Sequence, residues 1–305
     1  MSFLRAAAPP PIVPIPPRSE LVGVVWDPGY RRTEAHPFLV DVLASVRRSL
    51  GDLGCDALLL NPPADTPGGD PAWYVRRAAR LGLDGVVLLG VNPRDPAVEA
   101  LAASPLPCVG VDLDVRGPRS TWVTSDNIGG AATAVRHLYE TGRRRIATVT
   151  GPMQFRPSVE RLLGFRRELG RLGLGCPPEY TVEGDWFPGG GAAALRLLLD
   201  LPEPPDGVFV AGDLMAVGAL HAAAEAGVRV PADLGIVAFD DVAAAGYTRP
   251  RLTTVRQDTA AFGASAAALL GSLRERPAEE PGPPPVVLPT GLVVRESCGG
   301  RMMSP

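Results

Sequence analysis

The chain contains no lysine, and all thirty of its basic residues are arginine. Arginine runs therefore read first as composition. Arg143-Arg144-Arg145 is most simply a cationic helix end that the helix dipole favours, ahead of any nucleic-acid role. Cysteine and histidine are scarce too, at four and three residues. Cys55, Cys108, Cys176 and Cys298 stand far apart with no Cys-x-x-Cys pair, which excludes an obvious disulfide framework and, with so few histidines, a zinc site. Reduced thiols in a cytoplasmic protein are the expectation. No stretch reaches the eighteen or so apolar residues of a membrane span. Between Pro9 and Pro17 six prolines interrupt the apolar region a secretory signal needs, so residues 1–19 read as an extended, Pro-rich tail. Residues 299–305 read as a second, frayed tail. A Gly-x-Ser-x-Gly elbow, a Gly-x-x-x-x-Gly-Lys phosphate loop and a metal-ligand cluster are all missing. The expectation is a protein that is not an enzyme, with no catalytic residue, no metal and no cofactor. A net charge of -3 supplies no field to gather nucleic acid.

What is present is a regular alternation of apolar strands and amphipathic helices. At 305 residues and 46% hydrophobic, two domains are the better guess. Leu21 to Trp26 reads as a buried strand. The helix after it opens near Pro37, repeats apolar residues at Leu39, Val42, Leu43, Val46, Leu50 and Leu53, and stops at Gly54. Strand Ala57 to Leu60, helix Pro71 to Leu81, strand Gly85 to Leu89, helix Pro96 to Ala103 and strand Pro107 to Val111 complete one α/β lobe. The pattern restarts with Ser125-Asp126-Asn127 as a helix cap. It continues through strands near Ile146, Tyr180, Gly207 and Leu234, and helices Ser158 to Leu172, Gly189 to Leu199 and Leu214 to Ala226. Further on come Leu252 to Val255, a helix Ala260 to Leu273, a proline-rich loop Pro277 to Pro285, and short strands Val286 to Leu288 and Leu292 to Val294.

Two strands end abruptly on carboxylates: Val208 to Ala211 runs into Gly212-Asp213, and Ile236 to Phe239 into Asp240-Asp241. Ligands of open parallel sheets bind beyond the carboxyl ends of strands, so these acids are candidates for holding a polar molecule. Asp213 has the alternative of merely capping the helix that follows.

The runs Ser125-Asp126-Asn127-Ile128-Gly129, Gly151-Pro152, Arg161 with Gly164-Phe165, Gly184-Asp185-Trp186, Phe239-Asp240-Asp241, Pro250 to Gln257 and Leu292 to Ser297 resemble the effector-binding domain of lac-repressor-type (LacI/GalR family) transcriptional regulators. The matches span about residues 20 to 298 in the family's order. The resemblance implies a two-lobed periplasmic-binding-protein-like α/β fold of type I, each lobe a mostly parallel sheet flanked by helices. It also implies three crossovers, near Thr124 to Asp126, Val255 to Gln257 and Leu288 to Thr290. The N-terminal lobe would then be 20–125 plus 256–288, and the C-terminal lobe 126–255 plus 289–298. The family's DNA-binding head, a helix-turn-helix, has no counterpart before Leu21. DNA would be reached only through such a head, and this chain alone is expected not to bind an operator.

The resemblance further implies a small-molecule effector, most simply a sugar or related polyol. A polyol pocket wants paired carboxylates, a forked arginine and an aromatic platform. Positions matching family contacts are Phe38, Asp112, Arg161, Trp186, Asp213, Asp240 and Gln257, with Trp26, Tyr30, His36 and Leu39 as further candidates near the mouth. Each has a plainer reading: Arg161 a surface arginine, Trp186 core, Phe38 helix packing. Gly212 replaces an Asn usual in the family and should leave the pocket locally roomier. Replacing Asp240 by Ala is expected to lower affinity and leave the melting temperature of the free protein little changed. A homodimer is implied, with the helices Pro71 to Leu81, Pro96 to Ala103 and Ala260 to Leu273 as candidate surface. The rival reading is a solute-binding protein of a sugar ABC transporter, which would need a signal peptide or lipobox cysteine near the start.

Overall fold

Strands and helices alternate along a computed structural model that describes residues 20–26, 35–61, 70–277, 280 and 282–299. Most of the tails read above (residues 1–19 and 300–305) and Tyr30 lie outside the described residues. The first elements are β1 (Leu21–Trp26), α1 (Pro37–Asp52), β2 (Asp56–Leu60), α2 (Trp73–Leu81), β3 (Gly85–Leu89), α3 (Pro96–Ala103), β4 (Cys108–Val111) and β5 (Ser120–Ser125). There follow α4 (Asn127–Glu140), β6 (Ile146–Thr150), α5 (Arg156–Arg171), β7 (Thr181–Glu183), α6 (Pro188–Leu199), β8 (Gly207–Val210), α7 (Asp213–Glu225) and β9 (Gly235–Asp240). The chain finishes with β10 (Thr253–Gln257), α8 (Thr259–Glu275), β11 (Val286–Leu288) and β12 (Thr290–Val293).

Two six-stranded sheets result, in the orders β11-β5-β4-β3-β1-β2 and β12-β10-β9-β8-β6-β7. Every pairing is parallel except β10 with β12. Strands covered on both faces need continuous apolar runs, and Gly85-Val86-Val87-Leu88-Leu89 and Gly207-Val208-Phe209-Val210 are buried throughout. The chain passes from one sheet to the other three times, at Asp126 between β5 and α4, at Asp258 between β10 and α8, and at Pro289 between β11 and β12. The antiparallel β12 follows from the last of these passages, because only one residue separates it from β11.

Helix α1 shows why the sequence folds locally as it does. Pro37 opens it without wasting a backbone donor, Phe38, Val42, Val46 and Leu50 bury one stripe, and Gly54 leaves it at φ +72°, a region open to glycine. That stripe meets α8. The Phe38 and Phe262 rings stand edge to face with centroids 5.7 Å apart. A Cβ on Gly263 would come 2.2 Å from Ser45 Oγ, so glycine is what lets the two helices approach. A helix from the far end of the chain thus completes the first lobe's core.

One strand was not visible in the pattern. Ser120–Ser125, Ser-Thr-Trp-Val-Thr-Ser, is too polar to announce itself, yet it lies between β4 and β11. Pairing on both edges overrides its weak intrinsic signal. Among the described residues no helix is long and apolar enough to cross a membrane.

Candidate functional site

The carboxyl ends of both sheets face one cavity of about 740 Å³, part of it open to solvent. From the first lobe its walls are His36, Phe38 and Leu39 at the start of α1, Gly90 and Val91 after β3, and Val111, Asp112 and Leu113 at the end of β4. From the second lobe come Phe155, Pro157 and Arg161 of α5 and the loop before it, Trp186 and Phe187 ahead of α6, and Asp240 at the tip of β9.

Polar groups are few, and all but His36 are held by named partners. Arg161 is 3% exposed. Its Nε donates to Asn127 Oδ1 at 2.8 Å, and its Nη1 donates to the Ala211 carbonyl at 2.6 Å and to Asp240 Oδ1 at 3.4 Å. The guanidinium lies 3.8 Å from the Phe239 ring centroid and 5.7 Å from that of Trp186, a cation over aromatic faces. Asp240 Oδ1 also accepts from Gln257 Nε2 at 2.7 Å. On the other lobe Asp112 Oδ1 accepts from Thr124 Oγ1 at 2.7 Å. Asn127 Nδ2 donates to Thr124 Oγ1, the Ser125 carbonyl and Glu160 Oε2. A continuous hydrogen-bonded line therefore runs from Asp112 through Thr124 and Asn127 to Arg161 and Asp240, crossing between lobes where the chain itself crosses.

The site's electrostatics follow from burial. Desolvation pushes the carboxyls of Asp112 and Asp240 up to about 6, against the opposing pull of Arg161. His36 is lowered to about 4, first by burial and then by the Arg161 charge, so its imidazole is neutral near pH 7. Burial also lowers the Arg161 guanidinium from its usual value.

Backbone geometry marks the same place. Five described non-glycine residues have positive φ, and four of them, Asp112, Trp186, Asp240 and Asp241, lie at this cleft or beside it. Such conformations are disfavoured for residues with a Cβ and persist where surrounding structure enforces them, commonly at ligand sites. Trp186 is set by glycine: a Cβ on Gly151 would come 2.2 Å from its indole, and one on Gly212 would sit 3.4 Å from it. The room expected beside Gly212 is thus bordered by Trp186.

Of the residues named from sequence, His36, Phe38, Leu39, Asp112, Arg161, Trp186 and Asp240 come together around this cavity. Phe38 does so while also packing on Phe262. Gln257 lines an adjoining pocket with Asp240 as shared wall. Asp213 requires a correction. It is fully buried, outside the cavity lining, with Oδ1 accepting from Thr254 Oγ1 at 2.6 Å and Oδ2 from the Val242 N–H at 2.8 Å. Nor is it a cap, since Gly212 takes that position. Burial first, and then repulsion from Asp240, hold its carboxyl well above the usual range. Asp213 ties the turn after β9, at Val242, to β10 behind the site instead of facing it. Trp26 ends β1 and is not among the lining residues. Reading the sequence missed Phe155, Phe187, Val91 and Leu113, and assigned Asn127 only to a cap. The loop between β6 and α5, Gly151 to Phe155, is the one sequence signal that points to Phe155, since loops beyond strand ends frame clefts of this kind.

Two mostly parallel sheets joined by three chain passages around a cleft walled by both define a periplasmic-binding-protein-like domain. A family model described as "Periplasmic binding protein-like domain" matches residues 135–298. The chain belongs to the LacI family of transcriptional regulators. It is 34% identical over 282 residues to the HTH-type transcriptional regulator CelR of Thermobifida fusca, covering 92% of this chain and 82% of that one. To the HTH-type transcriptional repressor CytR of Escherichia coli it is 37% identical over 189 residues, 62% of this chain and 55% of the relative. Among solved structures, a CelR–cellobiose complex superposes with a TM-score of 0.81 at 33% identity, covering 92% of this chain and 85% of that one. A LacI-family regulatory protein from Chloroflexus aggregans gives 0.77 at 30%, with coverage of 91% and 98%. These likenesses do not favour the transport-protein alternative.

Proposed function

We propose that the chain is the effector-sensing and dimerisation module of a cytoplasmic regulator, without catalytic activity, and that its effector is a sugar or related polyol bound in the interlobe cleft. The observation that carries this reading is that Arg161 and Asp240 from one lobe and Asp112 from the other line a single cavity. A relative of the same family, CelR, has been solved with cellobiose, which makes β-linked disaccharides the first ligands to try. In this reading Phe38, Asp112, Arg161, Trp186 and Asp240 touch the effector directly. The lobes are then 20–125 plus 259–288 and 126–257 plus 289–298, joined at Asp258 and not at the expected 255/256, because Arg256 and Gln257 pair with strands of the second sheet. A ligand held by both lobes favours the closed arrangement by its difference in affinity. A coupling of about 1–3 kcal/mol to a helix-turn-helix head would suffice for regulation. Calorimetry with cellobiose and a panel of mono- and disaccharides tests it. Once a ligand binds, unchanged affinity in both Asp112→Ala and Arg161→Ala proteins would rule out this cleft.

The binding should depend on pH. Sugar hydroxyls donate to carboxylates, so the ligand favours the ionised forms of Asp112 and Asp240, whose pKa values are raised to about 6 in the free protein. Affinity is therefore expected to be full above about pH 7 and to fall as pH drops through 6, with protons released on binding near pH 6. Titrations in two buffers of different ionisation enthalpy would measure that release. Proton uptake instead would contradict the assignment of acceptors.

The dimer is better drawn from one edge of each lobe than from α2, α3 and α8. The apolar side of α8 is buried in the first lobe, with Phe262, Ala266, Leu269, Leu270 and Leu273 in the core. Exposed apolar side chains concentrate elsewhere: Leu53, Leu58 and Leu59 at the end of α1 and on β2, and Val159 and Leu163 on α5. β2 and β7 are the equivalent edge strands of the two sheets, and α1 and α5 the helices leading to them. A stable dimer needs over about 1,000 Å² of buried surface. The double variant Leu59→Arg, Leu163→Arg is expected to run as a monomer near 31.9 kDa in light scattering where the parent runs as a dimer.

A further inference from the structure

Three helices present their amino ends to the cleft, and all three begin in the same way. The residue at the N-cap of α1 is His36, of α5 Phe155 and of α6 Phe187, and none of them makes a side-chain capping bond. Each ring lines the cavity. Each helix also carries proline in its first two positions, Pro37, Pro157 and Pro188. A helix amino end is ordinarily an anion site, because its free N–H groups and its dipole converge there. Proline removes one of those donors, and a ring at the N-cap places a face or edge where a hydroxyl or amide would otherwise assist.

The remaining charges point the same way. Among the described residues Asp112 and Asp240 face one buried cation, Arg161, whose Nε and Nη1 are already engaged by Asn127, Ala211 and Asp240. Arg156, at the start of α5, is taken by Glu160 at 2.7 Å and lies 3.9 Å from Asp114. His36 is 8% exposed. Its Nε2 is buried without a partner among the described residues, while its ring meets Phe187 of the other lobe edge-on at 6.2 Å.

From these features we infer that the cleft discriminates on charge: it takes an uncharged, hydroxylated ligand with apolar faces and refuses phosphorylated or carboxylated counterparts, with His36 as the neutral hydrogen-bonding residue that sets this preference from the first lobe. The inference rests on the cleft being the effector site. The lowered pKa of His36 agrees with it, because a neutral imidazole adds no positive charge to the wall. A buried Nε2 also needs a partner, and a ligand hydroxyl supplies one at no cost in charge.

The test uses matched pairs, cellobiose with cellobionate and ribose with ribose 5-phosphate, and inorganic phosphate alone as a probe of the empty cleft. Binding is followed by calorimetry and by tryptophan fluorescence, in the parent chain and in the His36→Arg and Asp112→Asn variants. For any pair whose neutral member binds, the anionic member is expected to bind about a hundredfold more weakly, since like charges brought together cost several kcal/mol. Millimolar phosphate should leave the parent unchanged. His36→Arg should narrow the gap at least about tenfold and bring phosphate binding into the millimolar range, and Asp112→Asn should shift the preference in the same direction without adding a bulky cation. Equal affinity within a pair, or phosphate binding by the parent, would overturn the inference. If no neutral saccharide binds, the carbohydrate reading of the cleft fails, but the phosphate arm still decides on charge. Phosphate gained only on His36→Arg supports the inference, and phosphate bound by neither protein removes His36 from that role.

Discussion

Replacing Asp240 by Ala is expected both to weaken effector binding by at least tenfold and to lower the melting temperature of the free protein by several degrees. The first effect follows from removing an acceptor from desolvated ligand hydroxyls, worth about 1–3 kcal/mol. The second was not foreseen from sequence, where Asp240 looked like a residue serving only the ligand. In the folded chain Asp240 accepts from Gln257 Nε2 and is the ion-pair partner of Arg161, with both charged side chains 3% exposed. Removing one member of a buried pair leaves the other charge uncompensated, typically at a cost of about 3–5 kcal/mol. Here the cost should fall near or below the lower limit. The Asp240 carboxyl is already raised to about 6, so its ionised form is not strongly favoured, and Asp112 also offsets the Arg161 charge. Asp240→Asn separates the two effects. It keeps the shape and an oxygen for Gln257, and should recover much of the stability while leaving affinity low. An Ala variant that melts with the parent would show that Arg161 does not depend on this partner.

The second large effect is expected from a change with no polar group in it. Gly151 is the first residue after β6, and a methyl there would stand 2.2 Å and 2.4 Å from Cζ2 and Cη2 of Trp186. Real Cβ contacts are never so short, so the indole must leave its seat. Trp186 cannot simply slide, because it is held at φ +72° beside Gly212 and near Phe155, whose ring centroid is 6.4 Å away. Overpacking of this kind costs about 1–3 kcal/mol. Because the ring that moves is the proposed platform of the cleft, the loss should appear as a fall in affinity of about tenfold or more, alongside altered tryptophan fluorescence. Gly189→Ala is the control, since a Cβ there meets nothing within 4 Å. Equal ligand affinity in both variants would mean that Trp186 is not a ligand platform.

Much of the architecture could be read before any coordinates. Apolar steps of three and four marked α1, and a glycine marked its end. Strand tips running into Asp213 and Asp240 marked the side on which a site would form, although only Asp240 of the two lines the cavity. What escaped the reading has physical reasons. β5 carries only one aliphatic residue, Val123, and is a strand because of its two neighbours. Asp213 and Asp240 look alike in sequence, each an acid after an apolar run, and only the close approach of Val242 and Thr254 turns Asp213 inward. Asn127 follows a helix cap and its linkage to Arg161 depends on α5 crossing α4 (Cβ space at Gly164 is filled by the Ile128 carbonyl at 2.3 Å). Phe155 and Phe187 occupy positions where a capping Ser or Asp is usual, so local rules predicted a polar residue where the cleft has a ring.

The three chain passages also govern the order in which the protein can be built. The face of α1 that includes Phe38 stays uncovered until α8 has been synthesised as far as Glu275, and β5 lacks its outer neighbour until Leu288. Strands β6 to β9 and helices α4 to α7, by contrast, form one unbroken stretch of chain. On the ribosome the second half of the molecule can therefore condense while the first, although made earlier, still waits for its last helix. The expected order is then the reverse of the usual precedence of amino-terminal domains, with β10 and β12 added to the second sheet last and the apolar face of α1 left open until α8 is made.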